Sequence, residues 1–359
     1  MRLSIAAIAL VLIAGCAAEP TPPTLAQGWN EFTPGGETIC SDGTPFRFYV
    51  RPGDPEKVMF YLEGGGACWF RQNCDPAMQP SYTINLEGRH PSQRGGVFDL
   101  SREDNPLRGY THVFAPYCSG DVHLGAEDHV YDAVTEGQDA LTVRHRGIAN
   151  VQAVLDWTYA NLQSPATVFV TGSSAGSIPS PYYAMKIAQH YPDARVVQLG
   201  DGSGGYRRTD GSQMPYQTWG AVEALRASPE YAGLNDTNFD FVVPYLRTAT
   251  ATPNVQLAAY DAAEDAVQKR FLALSGTADV SLLGMIQANQ ADIRQDVPGF
   301  RSFIAGGESH TILGLPAFYT FRVGDTTFRD WLDDLVNGRP VDDVICEPCE
   351  TAELTTPAP

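Results

Sequence analysis

The chain has 359 residues, of which 43% are hydrophobic and 18% are charged, and it contains 42 acidic against 24 basic residues. This length allows one large α/β domain or two small ones. The excess of negative charge argues against nucleic acid and against an anionic membrane surface as binding partners, although it does not define a substrate.

The first residues have the features of a targeting segment. Arg2 precedes an apolar stretch over 3–14, which is too short to span a membrane comfortably. The stretch ends in Leu12-Ile-Ala-Gly-Cys16, which resembles a bacterial lipobox and predicts cleavage before Cys16 and lipidation of its thiol. The alternative is an ordinary secretory signal that is cut near Ala17. We therefore expect a signal peptide over 1–15 and a Pro/Thr-rich tether over 16–27. The lipid is expected to hold the exported protein to a bacterial membrane, at the outer membrane or the cell surface. The folded domain is then expected to be periplasmic or extracellular.

Strand-like and helix-like segments alternate along the rest of the chain. Because no internal repeat or linker interrupts them, we expect one domain over 28–350, followed by a disordered tail over 351–359. The predicted strands are 57–62, 111–115, 167–170, 194–199, 270–274 and 300–304, and the predicted helices are 147–162, 177–190, 217–227, 257–269 and 326–336. Segments 78–105 and 248–255 are predicted loops. Apolar strands that alternate with helices predict an α/β fold, with a mostly parallel central sheet and helices on both faces.

The third predicted strand leads into Gly172-Ser-Ser-Ala-Gly176, which has the form of a nucleophile elbow. In such an elbow, a sharp turn between strand and helix exposes one serine hydroxyl, here that of Ser174. The two glycines allow the strand and the helix to approach each other closely. Pro181 is expected to tighten or delay the start of the helix. The alternative is a glycine-containing turn with no catalytic role, because the pattern also arises by chance.

A serine nucleophile needs a base, and the base needs an acid that orients it. In the order typical of α/β-hydrolases, the nucleophile, the acid and the histidine follow one another along the chain, and Ser174, Asp279 and His310 satisfy that order. The alternative is that His310 is a loop histidine that bonds to the local backbone and has no catalytic role. Asp201 follows an earlier strand and is the alternative acid, or a residue that holds its own loop. Two further late carboxylates are interpreted as a solvated helix face: Asp261 and Asp265.

Acyl transfer also needs hydrogen-bond donors for the oxyanion that develops on the substrate. The amide of Ala175, which follows the nucleophile, is one candidate. The glycines at 64–66 follow the first predicted strand and are expected to supply the others, because glycine lets bare amides approach a substrate oxygen closely. A phosphate-binding loop is disfavoured, since the Lys-Ser/Thr ending of a P-loop is missing.

Six cysteines remain apart from Cys16, and an even number in an exported protein is typical of disulfides. Cys68 and Cys74 are near enough in sequence to close a small loop. The segment Cys346-Glu-Pro-Cys349 has three interpretations: a disulfide between its two cysteines, half of a metal site, or two cysteines that anchor the C-terminus to different places. A zinc site is disfavoured, because no second Cys-x-x-Cys or histidine pair completes it. The pairing of four cysteines stays open at this point: Cys40, Cys118, Cys346 and Cys349.

Several spaced motifs together resemble one family. They are Cys40-Ser-Asp-Gly-Thr-Pro, Leu62-Glu-Gly-Gly-Gly-Ala-Cys68 with Cys74, Pro116-Tyr-Cys-Ser-Gly-Asp121 and Gly172-Ser-Ser-Ala-Gly176. In this order they are similar to the pectin acetylesterase family, which includes the Notum carboxylesterases. The resemblance implies an α/β-hydrolase-like serine esterase with the triad Ser174, Asp279 and His310. It further implies a Cys68–Cys74 disulfide and an oxyanion hole built from three amides: Gly65, Gly66 and Ala175.

The chain departs from the family pattern near the predicted pocket. Gly66 and Ala67 stand where family members usually carry an aromatic residue, Asp279 lacks the usual polar-aromatic pair after it, and Thr311 replaces a cysteine. We therefore predict the reaction, ester hydrolysis through an acyl-serine, without metal or organic cofactor. Acetyl groups on a polysaccharide are the first substrate expected, and lipid or small synthetic esters the second. Two alternatives stay open: an acyl hydrolase acting on amides or polyesters, and a non-catalytic surface lipoprotein. The sequence does not indicate an oligomeric state.

Overall fold

The computed structural model describes residues 25–209, 215–277 and 280–354. Its strands are β1 (Asn30–Phe32), β2 (Phe48–Arg51), β3 (Asp54–Leu62), β4 (Tyr110–Ala115), β5 (Glu127–Tyr131), β6 (Leu141–His145), β7 (Thr167–Ser173), β8 (Arg195–Asp201), β9 (Gln256–Ala262), β10 (Arg301–Ala305), β11 (Phe321–Val323), β12 (Thr326–Thr327), β13 (Val344–Ile345) and β14 (Glu353–Leu354). Nine of them form one sheet in the order β1-β2-β4-β3-β7-β8-β9-β10-β13. Only β2 runs in the direction opposite to the other eight strands, so the sheet is mostly parallel, as predicted.

Helices cover both faces of this sheet. They are α1 (Arg71–Cys74), α2 (Gly147–Asn161), α3 (Ser180–His190), α4 (Ala221–Arg226), α5 (Val242–Ala251), α6 (Ala266–Leu274), α7 (Leu282–Asp296) and α8 (Phe328–Val336). Successive side chains of a strand point to opposite faces, and the core follows this alternation. Phe60 and Val170 join the apolar cluster that contains α2, α3 and α4, whereas Phe169 joins the cluster that contains α8. The predicted α/β fold, with helices on both faces, is confirmed.

Five of the six predicted strands are present, and the errors fall in one stretch. The predicted helix 257–269 is mostly the strand β9, and the predicted strand 270–274 lies in helix α6. Periodicity cannot distinguish a short buried strand from a buried helix segment, and β9 is buried on both faces of the sheet, so the alternation that marks a strand is missing. The predicted loop 248–255 was also wrong in part, since α5 continues through Ala251.

Three disulfides join the six cysteines of the described chain: Cys40 to Cys118, Cys68 to Cys74, and Cys346 to Cys349. The predicted Cys68–Cys74 bond is confirmed, and the pairing that the sequence left open is resolved. Within residues 25–209, 215–277 and 280–354, no helix has the length and apolarity to cross a membrane, and no cluster of three metal-ligating side chains occurs. Cys16 lies outside these residues, so its lipidation stays a prediction.

Candidate active site

The turn after β7 has the strained geometry of a nucleophile elbow. Ser174 has a φ of 55°, a left-handed conformation that non-glycine residues rarely adopt, and it begins a short 3₁₀ turn. A Cβ at Gly172 would lie 2.2 Å from the carbonyl oxygen of Gly176, and a Cβ at Gly176 would lie 2.1 Å from that of Leu62. Both positions therefore require glycine. The helix that follows begins at Ser180, later than the predicted Ser177, with Pro181 in its first turn.

His310 follows the strand β10 and contacts a buried carboxylate. Its Nδ1 lies 2.6 Å from Oδ2 of Asp265, whose side chain is fully buried. The other ring nitrogen, Nε2, is buried and has no hydrogen-bond partner within the described residues. His310 and Ser174 line the same groove. A histidine whose Nδ1 is held by a carboxylate and whose Nε2 stays available has the arrangement that a general base needs.

Asp265 is held rigidly at the N-terminus of α6. Its Oδ1 accepts hydrogen bonds from the amides of Val267 and Gln268, each at 2.9 Å, and its Oδ2 accepts a third from the Gln268 side chain at 3.0 Å. The interpretation of Asp261 and Asp265 as a solvated helix face is wrong, because both carboxylates are fully buried. That interpretation followed from the misassigned helix: Asp261 lies in β9, and Asp265 caps the true helix.

The predicted acid, Asp279, lies outside the described residues. The strand that was expected to carry it, 270–274, is helical, which removes the strand argument for Asp279, whereas the chain order and the family resemblance that also selected it stay as its basis and Asp279 stays a prediction. Asp265 comes three residues after the end of β9 and preserves the chain order of nucleophile, acid and histidine. A glutamate-aspartate pair that follows a short apolar run and precedes a helix is the sequence signal that could have identified it.

Asp201, the alternative acid, contacts the histidine loop rather than the histidine ring. It accepts hydrogen bonds from the amides of Ile312 and Leu313, at 3.0 and 3.1 Å, and from the hydroxyl of Ser173 at 2.5 Å. Burial raises the pKa of its carboxyl to about 6, against the opposing effect of these donors. Asp201 therefore holds a loop, but that loop is the one that carries His310 and not, as was expected, its own.

The glycines after β3 form a tight bend beside Ser174. Gly66 has a φ of 74°, and a Cβ there would lie 2.0 Å from the carbonyl oxygen of Ser81. A Cβ at Gly65 would lie 2.6 Å from the side chains of Thr83 and Tyr117. Within the described residues, neither amide donates a hydrogen bond to another group of the protein. The assignment of Gly65, Gly66 and Ala175 to an oxyanion hole stays a prediction, and these free amides are consistent with it.

An apolar cavity opens beside Ser174. Its walls include large hydrophobic side chains from four parts of the chain: Trp69, Ile178, Trp219 and Phe271. The indole nitrogen of Trp219 donates a hydrogen bond of 2.7 Å to the carbonyl oxygen of Cys68, which ties this wall to the Cys68–Cys74 loop. Ala67 also lines the cavity, so the position at which the chain departs from its family faces this space.

A polar groove also has Ser174 in its wall, and we call it the arginine groove because Arg89, Arg94 and Arg270 line it. The fully buried Glu63 binds two of these residues, Arg89 at 2.9 Å and Arg94 through a close contact. Arg270 is exposed and forms no ion pair within the described residues. Three arginines line the groove, whereas the nearby carboxylates of Glu63, Asp201 and Asp265 are fully buried, so positive side chains dominate its surface on a protein whose formal net charge is −18. Sequence analysis missed these residues, because only the fold brings them together.

Comparisons with known proteins bear on one half of this site. A family model described as Pectinacetylesterase matches residues 33–218, which include Ser174 and the glycine bend but neither Asp265 nor His310. The chain is 28% identical over 206 residues to the palmitoleoyl-protein carboxylesterase NOTUM of Homo sapiens, covering 54% of this chain and 40% of that protein. It is 29% identical over 141 residues to the palmitoleoyl-protein carboxylesterase notum1a of Danio rerio, covering 38% of this chain and 27% of that protein.

A third relative is called an inactive palmitoleoyl-protein carboxylesterase, notum1b of Danio rerio; it is 33% identical over 91 residues, 24% of this chain and 66% of that protein. The matches to human NOTUM and to notum1a cover 40% and 27% of those proteins, which is less than half of each. These relatives are animal proteins, so a bacterial origin for this chain stays a prediction.

Proposed function

The chain belongs to the pectinacetylesterase family, a family of carboxylic ester hydrolases, and from that premise we propose that it is a serine carboxylesterase with the triad Ser174, His310 and Asp265. The observation that carries the proposal is the 2.6 Å contact between His310 Nδ1 and Asp265, with Nε2 left available in the groove that Ser174 lines. Family membership alone does not decide activity, since one relative is named inactive.

In the proposed reaction, Nε2 of His310 takes the hydroxyl proton of Ser174 as Oγ attacks the ester carbonyl carbon. The imidazolium that forms is stabilised by the buried carboxylate of Asp265. The amides of Gly65, Gly66 and Ala175 bind the oxyanion of the tetrahedral intermediate. The carbon–oxygen bond to the alcohol then breaks, and the alcohol leaves with the proton from Nε2. Water, activated by the same histidine, releases the carboxylic acid from Ser174.

We propose that the acyl group occupies the apolar cavity. An acetyl group buries little apolar surface against these hydrophobic walls, whereas an extended acyl chain gains about 0.8 kcal/mol for each methylene that it buries. This favours an acyl chain of several carbons over the O-acetyl group expected from the sequence. The palmitoleoyl group in the names of the relatives is consistent with that choice.

The alcohol part of the ester is then expected in the arginine groove. The guanidinium of Arg270 is exposed there, and Arg89 and Arg94 outnumber the single charge of Glu63. A polar or anionic alcohol, including an acidic sugar of a polysaccharide, suits this environment better than an apolar alcohol. The substrate proposed is therefore an ester between an apolar acyl chain and a polar alcohol.

We also propose that the protein is exported. Three disulfides join the cysteines of its described chain, and disulfides persist in oxidising compartments. A lipid anchor on Cys16 would add membrane attachment. Metabolic labelling with a fatty-acid probe, compared between the natural chain and Cys16→Ser, tests that anchor: labelling that survives the substitution rules it out.

Hydrolysis of p-nitrophenyl esters tests the enzymatic proposal. We expect wild-type protein to hydrolyse the series and Ser174→Ala to lose at least about 10³-fold in kcat. The exposed Ser164 is a matched control, and Ser164→Ala should keep full activity. Activity in Ser174→Ala equal to that of wild type would refute the mechanism. An inactive wild type on every chain length would favour the non-catalytic alternative, and an amide series run in parallel separates an amidase from an esterase.

A further inference from the structure

Asp201 binds both sides of the proposed active site through one buried carboxylate. On the nucleophile side, its Oδ2 accepts the hydroxyl of Ser173, the residue directly before Ser174, at 2.5 Å. Ser173 Oγ itself accepts a hydrogen bond of 2.8 Å from the hydroxyl of Tyr61. On the base side, the two carboxylate oxygens accept the amides of Ile312 and Leu313.

The backbone next to Asp201 also contacts the histidine directly. Gly202 has a φ of 81°, and a Cβ at this position would lie 2.4 Å from the carbonyl oxygen of His310. The loop that carries His310 therefore rests against the end of β8, and Asp201 is the side chain that fastens it there. Asp265 holds the imidazole ring, whereas Asp201 holds the backbone two and three residues further along. The two carboxylates thus have separate tasks.

We infer that Asp201 is a positioning residue, which sets the separation between the nucleophile Ser174 and the base His310 by fastening the elbow and the histidine loop to one carboxylate. This inference rests on the proposed serine esterase mechanism. Its physical basis is the steep dependence of catalysis on geometry, since a displacement of about 1 Å in a reacting group costs about 10²-fold in rate. A carboxylate that accepts three hydrogen bonds holds both partners more firmly than an amide or a water could.

The ionised form of Asp201 is the one that suits three donors, and burial raises the pKa of this group to about 6. The titratable groups that face it in the described chain are Tyr61 from β3, Tyr260 and Asp261 from β9, and His310 from its own loop. Protonation of Asp201 below about pH 6 weakens its hold on the backbone amides. An acid-side step near pH 6 that belongs to Asp201 is therefore expected in the activity profile.

The test is Asp201→Asn, with kcat expressed per active site titrated by a fluorophosphonate. We expect kcat to fall by about 10²-fold with KM changed by less than about twofold, because positioning affects the transition state more than ground-state binding. The profile of kcat/KM against pH should contain a step near pH 6 in wild type, and the variant should lack that step. The exposed Asp193 supplies the matched control, and Asp193→Asn should keep wild-type kcat and the step near pH 6.

Ser173→Ala separates the two attachments, and it keeps the test open should the first variant fail to fold. Ser173→Ala releases the elbow from Asp201 and leaves both amide bonds to the histidine loop in place, so we expect kcat to fall by about tenfold with the step near pH 6 retained. An unchanged kcat in Ser173→Ala or in Asp201→Asn would overturn the inference, as would a wild-type profile without the step near pH 6. Full activity in Ser174→Ala would instead defeat the proposed function, so the two failures can be told apart.

Discussion

Enlarging Ala67 tests whether the apolar cavity binds the acyl chain. Ala67 is 7% exposed, lines the cavity and stands where family members usually carry an aromatic residue. The substitution Ala67→Phe adds a six-carbon ring to the cavity and displaces roughly three methylenes of a bound chain. At about 0.8 kcal/mol per methylene, the loss is about 2.4 kcal/mol, or about 60-fold in kcat/KM for a long-chain ester. An acetyl ester does not reach the added ring and should lose nothing.

The assay compares kcat/KM for p-nitrophenyl acetate, butyrate, octanoate and palmitate in wild type and Ala67→Phe. In wild type, kcat/KM should rise by up to about fourfold for each methylene added until the cavity is full. In the variant, the rise should stop at a shorter chain, with the acetate rate as internal control. Thermal unfolding of both proteins checks that the larger side chain has not destabilised the fold. An equal loss for acetate and palmitate, or an unchanged palmitate rate, would show that the acyl chain binds elsewhere.

Three further predictions concern other parts of the molecule. Asp265→Asn should lower kcat by about 10³-fold or more, because the amide no longer stabilises the imidazolium of His310; a loss below tenfold in steady-state kinetics would return the acid role to Asp279. Arg270→Ala should raise KM several-fold for esters of anionic alcohols and leave neutral esters unchanged, and equal effects on both classes would contradict a role for the arginine groove in binding charge. Burial raises the pKa of Asp261 to about 7 in the folded protein, so between about pH 4 and 7 the folded state keeps a proton that the unfolded state has released, and stability falls as the pH rises. In urea unfolding at pH 4.5 and 7.5, Asp261→Asn should show a smaller fall than wild type, and an identical fall would count against the raised pKa.

Local signals in the sequence were sufficient for the nucleophile and the central strands. The elbow at Ser174 depends on neighbouring residues alone, since two glycines allow the close approach of strand and helix within a five-residue motif. The strands β3, β4, β7, β8 and β10 were recognised because each is a short, continuous apolar run bounded by glycine or polar residues. The order of these strands along the chain then indicated that their ends meet at one edge of a parallel sheet.

The acid of the proposed triad could not be predicted in the same way. Asp265 lies in a stretch whose strand and helix were exchanged in the prediction. It was therefore interpreted as part of a solvated helix face, although its side chain is fully buried. Its role depends on a partner 45 positions later, His310, and no local pattern encodes that distance. The same holds for Asp201, which contacts backbone amides 111 and 112 positions away.

The sequence by itself determined the elbow turn at Ser174, the glycine bend beside it and the α/β class, because each depends on short-range chemistry or on periodicity along the chain. Only the tertiary structure decided which carboxylate meets His310, how the four cysteines outside the Cys68–Cys74 pair are joined, and that Ser174 lies in the walls of both the apolar cavity and the arginine groove. These features are made by residues far apart in the chain that the folded sheet brings within contact distance. The physical reason is that catalysis and specificity here depend on distances between side chains, and those distances exist only after the core has packed.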